Sequence, residues 1–170
     1  MVRITFMRGF TLIELMVVIV LIAIFATIGI PTYRSVTTSN RMAAEMNALV
    51  GDMQLARSEA IKRGQDTTVC ASTDGTSCAG SASQNWTTGW VVLVTGSNSL
   101  VRVHPALQGG DTLTSNGAGS PGLVTFDRSG FSSNAQTITL NDSGSSTAFR
   151  RCAVISKVGR VQLKSGANCP

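Results

Sequence analysis

The chain predicts an α+β fold: one long N-terminal helix, its first half apolar enough to span a membrane and its second half amphipathic, packed on an antiparallel β head. Three observations predict it. Residues 10–30 form an apolar run with a single charge, Glu14. Apolar residues then recur at helical spacing until Gly64, and beyond Gly64 the composition turns to Ser, Thr, Gly, Asn and Val in short β-prone runs.

The apolar run comes first. Its 21 residues, as a helix rising ~1.5 Å per residue, span ~31 Å, about one bilayer hydrocarbon core. A short basic leader with Arg3 and Arg8 precedes it and ends in Gly9. An ordinary secretory signal is cut after its apolar core, whereas the small residue here stands before it. Glu14 is expensive in such a run: an unpaired carboxylate near membrane depth costs on the order of 3 kcal/mol, so a partner is expected.

Pro31 follows the run at once. Proline removes a backbone donor and crowds the carbonyl four residues back, here that of Thr27, so a kink or local opening is expected at residues 29–31. The helix then resumes with Met42, Met46, Leu49, Val50, Met53, Ala56, Ala60 and Ile61 on one stripe. Arg41, Glu45, Asp52, Arg57, Glu59, Lys62 and Arg63 are read as its polar face. Lys62 and Arg63 suit the negative end of the helix, and Gly64 stops it.

After Gly64, candidate strands lie at 67–71, 90–94, 100–106, 123–126, 137–140, 148–156 and 160–164, with loops at 72–83, 108–122 and 141–146. About 140 residues beyond the leader and the apolar run suffice for one head domain with a real core. Trp86, Trp90, Phe126, Phe131 and Phe149 are its expected anchors. Paired tryptophans can also stack on a sugar or a base, but core burial is the commoner fate.

All four cysteines, Cys70, Cys78, Cys152 and Cys169, fall in the head. An even count on the exported side of a membrane points to disulfides. Three pairings exist; the local one, Cys70–Cys78 with Cys152–Cys169, closes loops of seven and sixteen intervening residues. Zinc is a poor competitor, because no CxxC spacing occurs and His104 is the only histidine. The same scarcity argues against an enzyme or a cofactor: there is no nucleophile elbow, phosphate loop or paired-carboxylate motif. Asp127, ahead of Arg128 and Gly130, reads as a turn former, and His104 as a surface or partly buried structural residue.

Gly9-Phe10, then Glu14, then Pro31 resemble the class III signal and N-terminal helix of type IV pilins and type II secretion pseudopilins. The resemblance implies cleavage after Gly9 by a prepilin peptidase, methylation of the new Phe10 amine, and retention of the helix. It divides the chain into a leader (1–9), a transmembrane and assembly segment (10–31) and a pilin head (32–170). It also implies a partner for Glu14: the cationic amine of Phe10 in a neighbouring subunit, a buried carboxylate being tolerable when another buried charge meets it. Pro31 would accompany a helix segment that extends on packing in the filament. The helix end Leu55-Ala56-Arg57-Ser58-Glu59-Ala60-Ile61-Lys62-Arg63 is similar to that of the GspH/FimT branch. So are Trp86-Thr87-Thr88-Gly89-Trp90-Val91-Val92 and Val124-Thr125-Phe126-Asp127-Arg128-Ser129-Gly130.

Charge is unevenly placed. The chain carries +5, or +3 once the leader is removed, yet residues 143–170 hold Arg150, Arg151, Lys157, Arg160 and Lys164 with no acid. Such a cluster can hold phosphates. In the FimT members of the branch a C-terminal Gly-Arg-x-Arg motif is associated with DNA binding in natural transformation. Here Gly159 and Arg160 match, while Gln162 replaces the second arginine and Lys164 follows it on the same strand face. The competing readings are a solvated face, or a surface meeting an acidic patch on the next subunit.

The expectation is therefore a non-enzymatic minor pilin, held in the inner membrane before assembly with its head outside, and then placed near the tip of a type IV pilus. Other minor pilins and the major pilin would be its partners. The alternatives are a DNA-binding minor pilin that contacts double-stranded DNA during uptake, and a minor pseudopilin of a type II secretion system.

Overall fold

A computed structural model describes residues 9–117 and 120–169. It contains one helix, α1 (Leu12–Arg63), eight strands and a closing 3-10 turn (Gly166–Asn168). The chain falls into two compact units that divide between Thr37 and Thr38.

In the first unit α1 is capped by Thr11, whose hydroxyl accepts from the Glu14 amide at 3.3 Å. The segment Thr11-Leu12-Ile13-Glu14 thus has the Thr-x-x-Glu order of a capping box, with the acid in the first turn where the helix dipole favours it. Thr27 and Thr37 return their hydroxyls to the Ile24 and Tyr33 carbonyls, so these polar groups are satisfied within the helix. Every described side chain from residue 9 to residue 37 is exposed. The helix is assigned without interruption through residue 31; the side chains at 28, 29 and 31, on which the expected opening turns, lie outside the described residues. So do residues 1–8 of the leader.

In the second unit two four-stranded antiparallel sheets share one core with the helix stripe. The first runs β3 (Ser99–His104), β2 (Trp90–Val94), β1 (Thr67–Ala71), β5 (Leu123–Phe126); the second runs β4 (Thr112–Ser115), β6 (Gln136–Asn141), β7 (Arg151–Ile155), β8 (Val161–Ser165). Met42, Met46, Leu49, Met53, Ala56 and Ala60 are buried against Trp90, Val92 and Phe126 of the first sheet and Ile138, Leu140 and Ala153 of the second. β1 and β2 are buried along their whole length. Their far faces are closed by a second cluster, Cys70, Val91 and Leu93, with Cys78 and Leu123 beside it. Cys70 is bonded to Cys78, which folds residues 72–79 over that face, and Cys152 is bonded to Cys169.

Several expectations need correction. The 108–122 stretch is not all loop, since it contains β4. The 100–106 strand ends at His104, and 148–156 contracts to β7 because residues 147–149 form a turn. Phe131 is 52 % exposed and is no core anchor, Phe149 is half-buried against the core, and Ile61 lies outside the stripe at 53 % exposure. Asp52 belongs not to a solvated face but to the core boundary, where it is buried.

Candidate functional site

Two regions carry the sequence-based site residues, one in each unit. In the first, Gly9 and Phe10 are exposed ahead of the cap, and Glu14 stands one helical turn into an uncovered apolar surface. Chemically this is a helix able to leave lipid for a bundle of similar helices. Apolar side chains gain little from that exchange, so a charged group has the larger say in register.

In the second unit the basic residues differ in what they touch. Arg150 donates through Nε to Asn141 Oδ1 at 2.9 Å, and Arg151 reaches back to α1, donating to the carbonyl and hydroxyl of Ser39 at 3.4 and 3.3 Å. Lys157, Arg160, Gln162 and Lys164 remain exposed. Arg160 sits just before β8, Gln162 lies opposite Val154, and Lys164 opposite Cys152. Gly159 makes the β7–β8 turn at φ +75°, and a Cβ there would strike the Gly130 carbonyl oxygen. Arg57 Nε donates to that same oxygen at 3.0 Å, so the glycine serves packing against α1.

The polar contacts that seat the helix on the head were not legible as sites. Asp52 accepts from Trp90 Nε1 at 2.8 Å and from Arg102 at 3.3 Å. His104 stacks on Trp90 with centroids 3.8 Å apart and faces Glu45 at 3.8 Å. Arg41 forks onto the buried Asp111 carboxylate, Nε to Oδ2 at 2.8 Å and a terminal nitrogen to Oδ1 at 2.7 Å, and this pairing raises the Arg41 pKa. The Trp86 indole donates to Ser115 and to the Pro121 carbonyl. Both indoles are therefore buried and spoken for. Among the described residues, no group of three His, Cys, Asp or Glu is placed to hold a metal.

This layout, a helix carrying a two-sheet head stapled twice, can be set beside known proteins. The family model described as type II transport protein GspH matches residues 45–159. The chain belongs to the GspH family. A second model, the prokaryotic N-terminal methylation motif, matches residues 6–30, the segment that contains Gly9, Phe10 and Glu14. Among solved structures the chain is similar to the type IV minor pilin FimU of Pseudomonas aeruginosa, at 25 % identity over 76 % of this chain and 94 % of that one, with a TM-score of 0.54. The minor pseudopilin EpsH of the type 2 secretion system of Vibrio cholerae shares the fold at 17 % identity, covering 75 % of this chain and 99 % of that one, with a TM-score of 0.56. As a GspH-family chain this is a structural pilin subunit and not an enzyme, and its class assembles with other pilins in a filament. The methylation motif together with the apolar helix marks it as membrane-anchored.

Proposed function

We propose that this chain is a minor pilin of a type IV pilus, held in the inner membrane until it joins other minor pilins and the major pilin near the filament tip, where it helps to start polymerisation. A prepilin peptidase would cut between Gly9 and Phe10, Phe10 would be N-methylated, and its amine would meet Glu14 of a neighbour. The observation that carries this reading is the exposed apolar surface of residues 10–27 with one carboxylate, four residues from the new terminus. The likeness to the minor pilin FimU supports the pilus reading, as the likeness to EpsH supports the pseudopilin alternative.

A second reading is a DNA-binding pilin. Lys157, Arg160 and Lys164 are exposed, with Gln162 neutral between the last two, while Arg150 and Arg151 keep their charge and donate to the neutral Asn141 and Ser39. A deletion strain scored side by side for surface pili, secreted enzymes and DNA uptake tests the proposal. Loss of pili with normal secretion is expected. Loss of secretion with normal pili would assign the chain to a type II secretion system instead.

A further inference from the structure

Three large apolar side chains stand out on one part of the head surface: Ile61, Phe131 and Val158 are 53, 52 and 59 % exposed. They come from the end of α1, the turn after β5 and the turn between β7 and β8, and these three elements are locked together. Arg57 Nε donates to Gly130 O at 3.0 Å, and Ser132 N–H donates to Lys157 O at 2.9 Å. Gly130 (φ +80°) and Gly159 (φ +75°) leave no room for a side chain. A Cβ on the first would press on Ile61 Cδ1 at 3.0 Å, and one on the second would strike Gly130 O. Phe131 and Val158, each next to one of these glycines, are thus presented beside Ile61 on a braced base.

Cations flank them. Arg128, Lys157 and Arg160, on the same two turns, are exposed. The acids of these elements answer few of those charges: Glu59 pairs with Lys62 and Arg63, and Asp127 accepts from the Ser129 and Phe131 amides. That leaves Asp66, past the helix stop, as an exposed acid here. Along α1 the rise from Thr38, where the head unit begins, to Ile61 is ~35 Å, so the patch and the entry of the chain stand at opposite ends of the head.

We propose that this end of the head seats on an anionic phospholipid surface, in a membrane other than the one that holds the anchor. Ile61, Phe131 and Val158 enter the boundary between headgroups and acyl chains, while Arg128, Lys157 and Arg160 take the phosphates; binding of this kind sums apolar burial and charge. The three side chains offer on the order of 300 Å² of apolar surface, well under half of the ~800 Å² that each partner gives to a standard protein interface. Nucleic acid would use the cations but leave the apolar tips in water. The inference rests on the pilin-subunit reading only for its setting, a filament end that meets a membrane, and its test does not depend on whether the chain enters filaments.

The test holds the full chain by its anchor in phosphatidylcholine nanodiscs and adds separate, sucrose-loaded vesicles, either of phosphatidylcholine alone or mixed with phosphatidylglycerol. Co-sedimentation of the discs with the vesicles is measured against empty discs. The wild-type chain is expected to sediment with the mixed vesicles, and about tenfold or more less with phosphatidylcholine alone. The double variant Phe131→Ser, Val158→Ser is expected to lose binding by a similar factor with an unchanged thermal midpoint, since both side chains are exposed. Lys157→Gln with Arg160→Gln should weaken it in the same direction. No binding by the wild-type chain, or equal binding to both kinds of vesicle, would overturn the proposal. So would undiminished binding by the Phe131, Val158 variant together with displacement of the vesicles by a short DNA duplex, because the cations would then be a bare phosphate site.

Discussion

At the scale of single residues, Asp52 joins the helix to the first sheet. Its carboxylate takes the Trp90 indole N–H on a buried path and Arg102 on an exposed one. Asp52→Ala strands a buried indole donor, so thermal unfolding should report a loss on the order of 1–3 kcal/mol. Arg102→Ala, which removes only the solvent-facing partner, should cost well under half of that. Asp74 organises the disulfide loop in a similar way, accepting from the Thr76 and Ser77 amides and from the Ser77 hydroxyl. These bonds hold its pKa well below the ordinary carboxylate range, the Ser77 hydroxyl contributing most. A depressed folded pKa means that the loop's order is intact above the unfolded value and is lost as pH falls below that range. The protection of the Thr76 and Ser77 amides, taken relative to their intrinsic exchange rates, should therefore fall below about pH 4, and Asp74→Asn should remove that acid dependence. Neither role was visible in the chain itself. Helical spacing put Asp52 beside Arg41 and Glu45 on a polar face, because its partner lies 38 residues away and leaves no periodic trace. Hydrophobicity alone reads Phe131 as core, yet it sits exposed in a turn closed by Asp127, which accepts from the Ser129 and Phe131 amides.

At the scale of elements, α1, the fully buried strands β1 and β2, and β5 could be read directly, since apolar spacing and turn residues bound them on both sides. β4 could not. Thr112-Leu113-Thr114-Ser115 is short and mostly polar, lies after Gly109-Gly110, and becomes a strand only because β6 and residues 84–86 pair with it. Its approach to α1 is fixed by Arg41 and Asp111, with Gly109 so close that a Cβ would press on the guanidinium at 2.6 Å. Arg41→Ala leaves a buried carboxylate unpaired and should destabilise the head by on the order of 3 kcal/mol, measured by thermal or denaturant unfolding. Asp111→Asn should cost less, because the charge left over is the partly exposed one. The Cys152–Cys169 bond ties the last residues to β7 across sixteen intervening residues. By chain entropy it contributes about 3 kcal/mol. Cys169→Ser should lower the unfolding midpoint and speed amide exchange in residues 166–169, leaving β1 and β2 protected.

At the scale of the whole molecule, the two units differ in what they bury. The head closes on itself through one core, two disulfides and indoles with satisfied N–H groups. The first unit closes nothing: its described apolar side chains are all exposed, and the carboxylate of Glu14 is the one acid among residues 10–37. A hydrophobic helix alone is content in lipid, and nothing in dispersion or apolar burial tells it to exchange lipid for other helices in one register. A charge that lipid penalises and a neighbour's amine relieves does supply such a preference. The central claim is therefore that Glu14 sets assembly and not membrane insertion. The direct measurement is the amount of the chain in sheared filaments and in the membrane fraction, for wild type and Glu14→Val. An unchanged membrane pool with the variant missing from filaments is the predicted result; equal amounts of both proteins in the filaments would contradict it.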